Sequence, residues 1–297
     1  MSSRQAELVL DAKAVLGEGA FWHREQNLLY WLDIEGRLLH RFDPETRCDS
    51  SIPLERRVGC MVPTQSGSLL LAGEKGIEEF FPETGQHLFL TDPEPEKSAN
   101  RLNDGKCSPE GRFWFGSLNM ERQPFQASFY RMDHDRTVTR QLAGLTNSNG
   151  IGWSPDGKTL YHTDTPTRQI TAFDYDRRRG EIGNPRIILR FPEDQTVGRP
   201  DGMTVDGEGH LWIAHWMGGR VSCWNPDNGQ MLEEIRLPVS RVTSAAFGGA
   251  DLATLYLTTA SHGMPDTEKA KEPLAGGLFA VSPGVKGIPA AVFRENF

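Results

Sequence analysis

The chain of 297 residues has no apolar run approaching the ~18 residues of a membrane span, no excess of positive charge and no C-x-x-C pair. Each absence removes a class of protein. With 32 Lys and Arg against 40 Asp and Glu, the net charge is −8 and the isoelectric point about 5.5. Such a balance leaves no electrostatic footprint for nucleic acid or an anionic membrane. The triplet Arg177-Arg178-Arg179 sits among Asp174, Asp176 and Glu181, and reads as a solvated hairpin tip. Cys48, Cys60, Cys107 and Cys223 fall in or beside different predicted strands, and read as reduced packing residues. Residues 1–7 lack the apolar stretch of a signal peptide, so the expectation is a cytoplasmic protein. The eight histidines contain no H-x-x-x-H; His23, His40, His87 and His210 read as turn or surface residues.

Long stretches of helical period are missing as well. In their place stand short apolar runs bounded by Gly, Pro, Asp and Asn, which are strand and hairpin signals. Laid over one another, the runs repeat. Trp153-Ser154-Pro155-Asp156-Gly157 leading to Leu160-Tyr161-His162 has the shape of Cys107-Ser108-Pro109-Glu110-Gly111 leading to Phe113-Trp114-Phe115. Further copies start at Trp22, Pro63, Val205 and Phe247. Their spacing of about 40 to 50 residues is that of four-stranded propeller blades. The sequence therefore predicts an all-β, six-bladed β-propeller over residues 1–297, a single domain despite its length. The segment 7–12 is expected to pair with the last blade and close the ring.

A phase relation runs through the copies. Glu18, Asn103, Asn149 and Asp201 each stand four residues before the aligned positions Trp22, Cys107, Trp153 and Val205. Equal phase predicts equivalent places in equivalent blades. Singly, each residue has an ordinary explanation in turn chemistry, but Glu is a poor turn former, and the set is rich in oxygen. Two carboxylates and two amides gathered at one rim would repel or stay desolvated without a cation, so the cluster reads as a divalent-cation site. Hard oxygens suit Ca²⁺, Mg²⁺ or Mn²⁺, with Zn²⁺ and Fe²⁺ open. The second blade has Gly59 at this phase, and the sixth has Thr243 or Ser244. The third copy adds Arg101, two residues from Asn103 and so on the same side of an extended segment, with Asp104 facing away. Glu121 follows the next predicted strand.

At these residues the chain resembles the SMP-30/gluconolactonase/regucalcin-like family of propellers. The matching segments are Leu16-Gly17-Glu18-Gly19, Arg101-Leu102-Asn103-Asp104-Gly105-Lys106, Asn149-Gly150-Ile151, Arg199-Pro200-Asp201-Gly202-Met203 and Gly218-Gly219-Arg220-Val221. The resemblance implies that Glu18, Asn149 and Asp201 are metal ligands, that Arg101, Asn103 and Glu121 contact a sugar substrate, and that Asp201 doubles as catalytic base. It implies metal-dependent hydrolysis of a small-molecule sugar lactone in carbohydrate metabolism. Two other readings stand beside it: a calcium-binding regulatory propeller, and a related esterase or phosphotriesterase.

Overall fold

Four-residue turns such as Ser154-Pro155-Asp156-Gly157 reverse the chain between strands. The Ser154 hydroxyl donates to Asp156 Oδ1 (2.6 Å), the Lys158 amide donates to the same oxygen (3.0 Å), and Gly157 takes φ +67°, a conformation that needs no side chain. Repetition of this hairpin chemistry builds the architecture.

The structure is a computed structural model that describes residues 4–295. Residues 1–3, part of the segment read for a leader, lie outside the described residues. Strand β1 (Glu7–Leu10) precedes the first blade, which is β2 (Gly17–His23), β3 (Leu28–Asp33), β4 (Leu38–Asp43) and β5 (Cys48–Pro53). The second is β6 (Val58–Pro63), β7 (Leu69–Gly73), β8 (Gly76–Phe81) and β9 (Gln86–Thr91). The third is β10 (Asn100–Cys107), β11 (Phe113–Asn119), β12 (Ala127–Met132) and β13 (Val138–Leu145). The fourth is β14 (Ser148–Trp153), β15 (Thr159–Asp164), β16 (Gln169–Asp176) and β17 (Glu181–Arg190). The fifth is β18 (Arg199–Val205), β19 (Leu211–Trp216), β20 (Arg220–Trp224) and β21 (Met231–Arg236). The last holds β22 (Val242–Gly248), β23 (Thr254–Thr259) and β24 (Leu278–Val281), and β1 is its fourth strand, antiparallel to β24. Among the described residues these six antiparallel sheets are the blades of a β-propeller. Among the described residues there is one α-helix, α1 (Asp266–Lys269), a single turn.

Burial falls from the first strand of a blade to the last. β6, β14 and β22 are buried along their whole length, whereas β5 and β9 are largely exposed. The repeat anchors explain why the blades stack. Trp153 meets Trp114 and Tyr175 edge-on at 6.3 and 6.0 Å, and Trp22 lies flat on Tyr256 at 6.0 Å. Burying each such ring is worth about 1.5–3 kcal/mol.

The chain forms two compact units. One comprises the residues up to Glu55 with Ile188–Pro289; the other comprises Arg56–Ile187 with the residues from Ala290. In the second unit the C-terminal Phe293 is fully buried, its amide donating to the Pro63 carbonyl at 2.8 Å.

Two expectations need correction. Cys48 is exposed on β5, where it packs against no core; Cys60, Cys107 and Cys223 are buried and are thiols rather than halves of disulfides. His40 is a core residue, stacked on Trp31 at 3.9 Å with Nδ1 2.7 Å from Asp49 Oδ2. The arginine triplet does lie in an exposed turn after β16, and the Arg177 and Arg178 carbonyls accept from Arg112, each at 3.0 Å.

Candidate active site

Every first strand carries a register shift at or beside the phase position. The shifts fall between Glu18 and Phe21, Val58 and Cys60, Leu102 and Gly105, Asn149 and Ile151, Pro200 and Met203, and Val242 and Ser244. A bulge leaves a residue out of the ladder and re-aims its side chain, which is why bulges recur beside binding sites. The alignment of the sixth blade is settled at Thr243, whose hydroxyl donates to the Gly17 carbonyl at 2.5 Å. Gly59 serves close packing: a Cβ there would lie 2.3 Å from the Leu102 carbonyl oxygen and 2.7 Å from Asn103 Cα.

In the second unit the bulges of the third and fourth blades share one hydrogen-bond network. Arg101, 7 % exposed, donates from Nη1 to Asn103 Oδ1 at 2.7 Å and to the Leu102 carbonyl at 3.0 Å. Asn103 Nδ2 donates in turn to Asn147 Oδ1 (3.1 Å) and the Ser148 carbonyl (2.9 Å). The next residue is Asn149, 3 % exposed, whose Nδ2 donates to Thr165 Oγ1 at 3.3 Å, so that Oδ1 is its acceptor atom. Arg101 and Asn103 thus share a side, as their alternation predicts. Asp104 accepts from the Gly105 amide at 2.7 Å, and burial raises its carboxyl above the ordinary range.

Asn147 is the member that sequence reasoning missed. It sits in an Asn-Ser-Asn-Gly stretch that reads as turn chemistry, and only its contact with Asn103, 44 positions away, marks it. Its amide is held by Asp164 Oδ1 at 2.8 Å, and burial raises the Asp164 carboxyl. Asp33 does the same in the first blade, accepting from the Val15 and Leu16 amides at 2.8 and 2.9 Å. A carboxylate at the end of the second strand fixes the loop that leads into the first.

Glu121 is exposed in the turn after β11. Its amide and that of Gln123 donate to Asn119 Oδ1 at 3.1 and 3.0 Å, and Asn119 Nδ2 donates to Asn100 Oδ1 at 2.8 Å. Asn100 directly precedes Arg101. A buried amide pair therefore ties the loop carrying Glu121 to β10.

In the first unit Glu18 is half-buried, its Oε2 accepting from the Gly19 amide at 3.2 Å, with Gly19 at φ +60°. Asp201 is 6 % exposed. The strands that carry them approach the sixth blade through glycines, Gly17 at β23 and Gly202 at β22. A Cβ on Gly17 would lie 2.7 Å from the Thr259 carbonyl, and one on Gly202 would lie 2.7 Å from the Thr243 carbonyl. The histidines are less inert than their spacing suggests: among the described residues, Asp206, His210 and Cys223 have ligand atoms within 4.8 Å of one another.

A six-bladed propeller with carboxylate and amide oxygens at the bulges of its first strands is the class that fold and residues define. The chain belongs to the SMP-30/Gluconolactonase/LRE-like family, whose profile matches residues 16–261. It is 38 % identical over 275 residues to YvrE of Bacillus subtilis, which is provisionally named a sugar lactone lactonase, covering 93 % of this chain and 94 % of that one. It is also 38 % identical over 293 residues to the regucalcin of Danio rerio, covering 97 % and 98 %. Among solved structures it resembles a calcium-binding protein, regucalcin, from Agrobacterium tumefaciens, with a TM-score of 0.93, 25 % identity and 98 % of each chain covered.

Proposed function

We propose that this protein hydrolyses sugar lactones, aldono-1,4- or 1,5-lactones, to aldonic acids with the help of one divalent cation. The observation that carries the reading is the buried Arg101, held by Asn103 within a network that runs on to the backbone beside Asn149. A cation site with no substrate has no use for a buried guanidinium next to it. A ligand rich in hydroxyl and carbonyl oxygens does, because five N–H donors in a fixed fork match such oxygens.

Glu18, Asn149 and Asp201 would hold the cation. The donor chemistry fits: two carboxylates and an amide oxygen, with Asn149 Nδ2 committed to Thr165 and no sulfur or imidazole in the set. Such an ion would polarise the lactone carbonyl and lower the pKa of a bound water, and Ca²⁺ suits the oxygen set best. Asp201 accepts the proton of the attacking water as general base. Arg101 and Asn103 orient the carbonyl and ring hydroxyls; their mutual hydrogen bond sets them before substrate arrives, so less freedom is lost on binding. Glu121 reaches the substrate from the loop that Asn119 anchors. No Ser, Cys and His arrangement in the sequence favours a covalent route. The family relationship supports the reaction class.

The test is a panel of aldonolactones, aryl esters and phosphotriesters, followed as acid release with and without chelator. Aldonolactone opening that chelator abolishes is expected, with Asp201→Asn lowering kcat by about a hundredfold or more and Glu18→Gln weakening cation affinity. Near-native turnover by Asp201→Asn with cation still bound removes the base assignment. The regucalcin relatives favour a second reading, a calcium-binding propeller, and tight Ca²⁺ binding without turnover selects it. Activity confined to aryl or phosphate esters selects an esterase.

A further inference from the structure

The β18–β19 hairpin of the fifth blade closes with a turn whose chemistry exceeds what the turn requires. In three other blades a hydroxyl suffices at the first turn position. Ser108 Oγ accepts from the Arg112 amide at 3.1 Å, Ser154 Oγ accepts from Thr159 at 3.0 Å, and Thr64 Oγ1 pairs with Ser68 Oγ at 2.7 Å. The fifth blade has Asp206 there, fully buried. Its Oδ1 alone does the work of the hydroxyl, accepting from the Glu208 and His210 amides, both at 2.9 Å. The second oxygen is surplus to the turn, and a buried carboxylate is costly to desolvate.

That second oxygen points at a consistent set of groups. Oδ2 accepts from the Trp212 indole N–H at 2.9 Å and lies 3.4 Å from His210 Nδ1. Cys223 faces Trp212 across the β19–β20 ladder and is 3 % exposed, and its Sγ completes a trio of ligand atoms within 4.8 Å of one another. Glu208 Oε2, 3.6 Å from His210 Nδ1, supplies a fourth donor at the surface.

We propose that Asp206, His210 and Cys223 form a transition-metal site, of the type that takes Zn²⁺, separate in residues and in donor chemistry from the all-oxygen set of Glu18, Asn149 and Asp201. One thiolate, one imidazole and one carboxylate are the borderline-soft ligands that zinc prefers over calcium or magnesium. Bonds of about 2.0 Å to N and O and 2.3 Å to S place tetrahedral N and O ligands about 3.3 Å apart and the sulfur about 3.5 Å from each. The Asp206–His210 pair, at 3.4 Å, already has that separation, and Cys223 Sγ needs to close by no more than about 1.3 Å. On binding, the thiol S–H proton passes to solvent and the thiolate, carboxylate and dication sum to zero charge. The site would staple the hairpin to the chain's last segment as well, because the Gly207 amide donates to the Lys286 carbonyl at 2.8 Å and Asp206 bridges to Gly287.

The experiment is a Co²⁺ titration of the full chain in a Cys48→Ser, Glu18→Gln background, which removes the exposed thiol and one ligand of the proposed lactonase ion. A thiolate-to-cobalt charge-transfer band saturating at one equivalent is expected. Adding Cys223→Ala should abolish it, and His210→Ala should weaken Co²⁺ affinity tenfold or more. Zn²⁺ should raise the melting temperature of the background chain but not that of its Cys223→Ala derivative, whose melt without metal shows that it folds. Absence of the band, or its survival in Cys223→Ala, overturns the proposal. Lactone opening is read separately on the native chain and on Cys223→Ala, where it should be unchanged, so failure of this site and failure of the lactonase reading are distinguishable.

Discussion

Individual residues at the phase position read as a set in the sequence, but their backbone did not. Glu18 stood out because nothing in turn formation asks for a glutamate, whereas Gly59 stood at the same phase with no side chain to offer, and clearance from β10 is what requires it. Buried histidines carried no signal at all, since nothing local distinguishes His162 from a surface histidine. His162 Nε2 lies 2.8 Å from Ser148 Oγ, and burial lowers its pKa to about 3. The unfolded chain therefore takes up a proton below pH 6.5 that the folded chain refuses until near pH 3. The stability this histidine lends is complete above pH 6.5 and falls with decreasing pH by about 1.4 kcal/mol per unit. His215, lowered to about 3 by burial first and Arg220 second, behaves alike. Replacing His162 by Gln, which can still bond to Ser148, should flatten the loss of urea midpoint between pH 7 and pH 5. An unchanged slope would refute the buried-neutral assignment.

At the level of elements, strands and hairpins were legible because each has its own apolar run and its own turn residues. The pairing of β1 with β24 followed from a physical demand, the removal of open edges, and the structure bears it out. Leu8 packs against the core of the fifth and sixth blades, and Val9 and Leu10 against that of the sixth and first. Deleting residues 1–11 should lower the urea midpoint and cause concentration-dependent association through the bared edge of β24, seen by light scattering. A truncated chain with native midpoint and no association would show that β1 is dispensable. The loop after β11 was the least readable element. Glu121 was assignable only by resemblance, and what holds its loop is the amide pair Asn119–Asn100, which no local pattern announces.

For the molecule as a whole, six blades could be counted from the repeat, yet cooperativity cannot be counted. The chain passes between the two units at 55/56, at 187/188 and at 289/290, the second of these within β17, and neither unit is one continuous stretch of chain. We propose that the protein unfolds as one unit, because no segment boundary lets half the chain fold by itself. Calorimetric and van't Hoff enthalpies should then agree; two resolved transitions would count against it. The amino-acid sequence determined the number of blades, their hairpins and the oxygen-bearing phase, because each is written within about 50 residues and repeats. Tertiary structure alone decided which residues at that phase sit in bulges, that Asn147 joins Arg101 and Asn103, and that Cys223 faces Asp206 and His210. Those are contacts between positions far apart in the chain, and only packing of the folded backbone brings them within hydrogen-bonding or ligand reach.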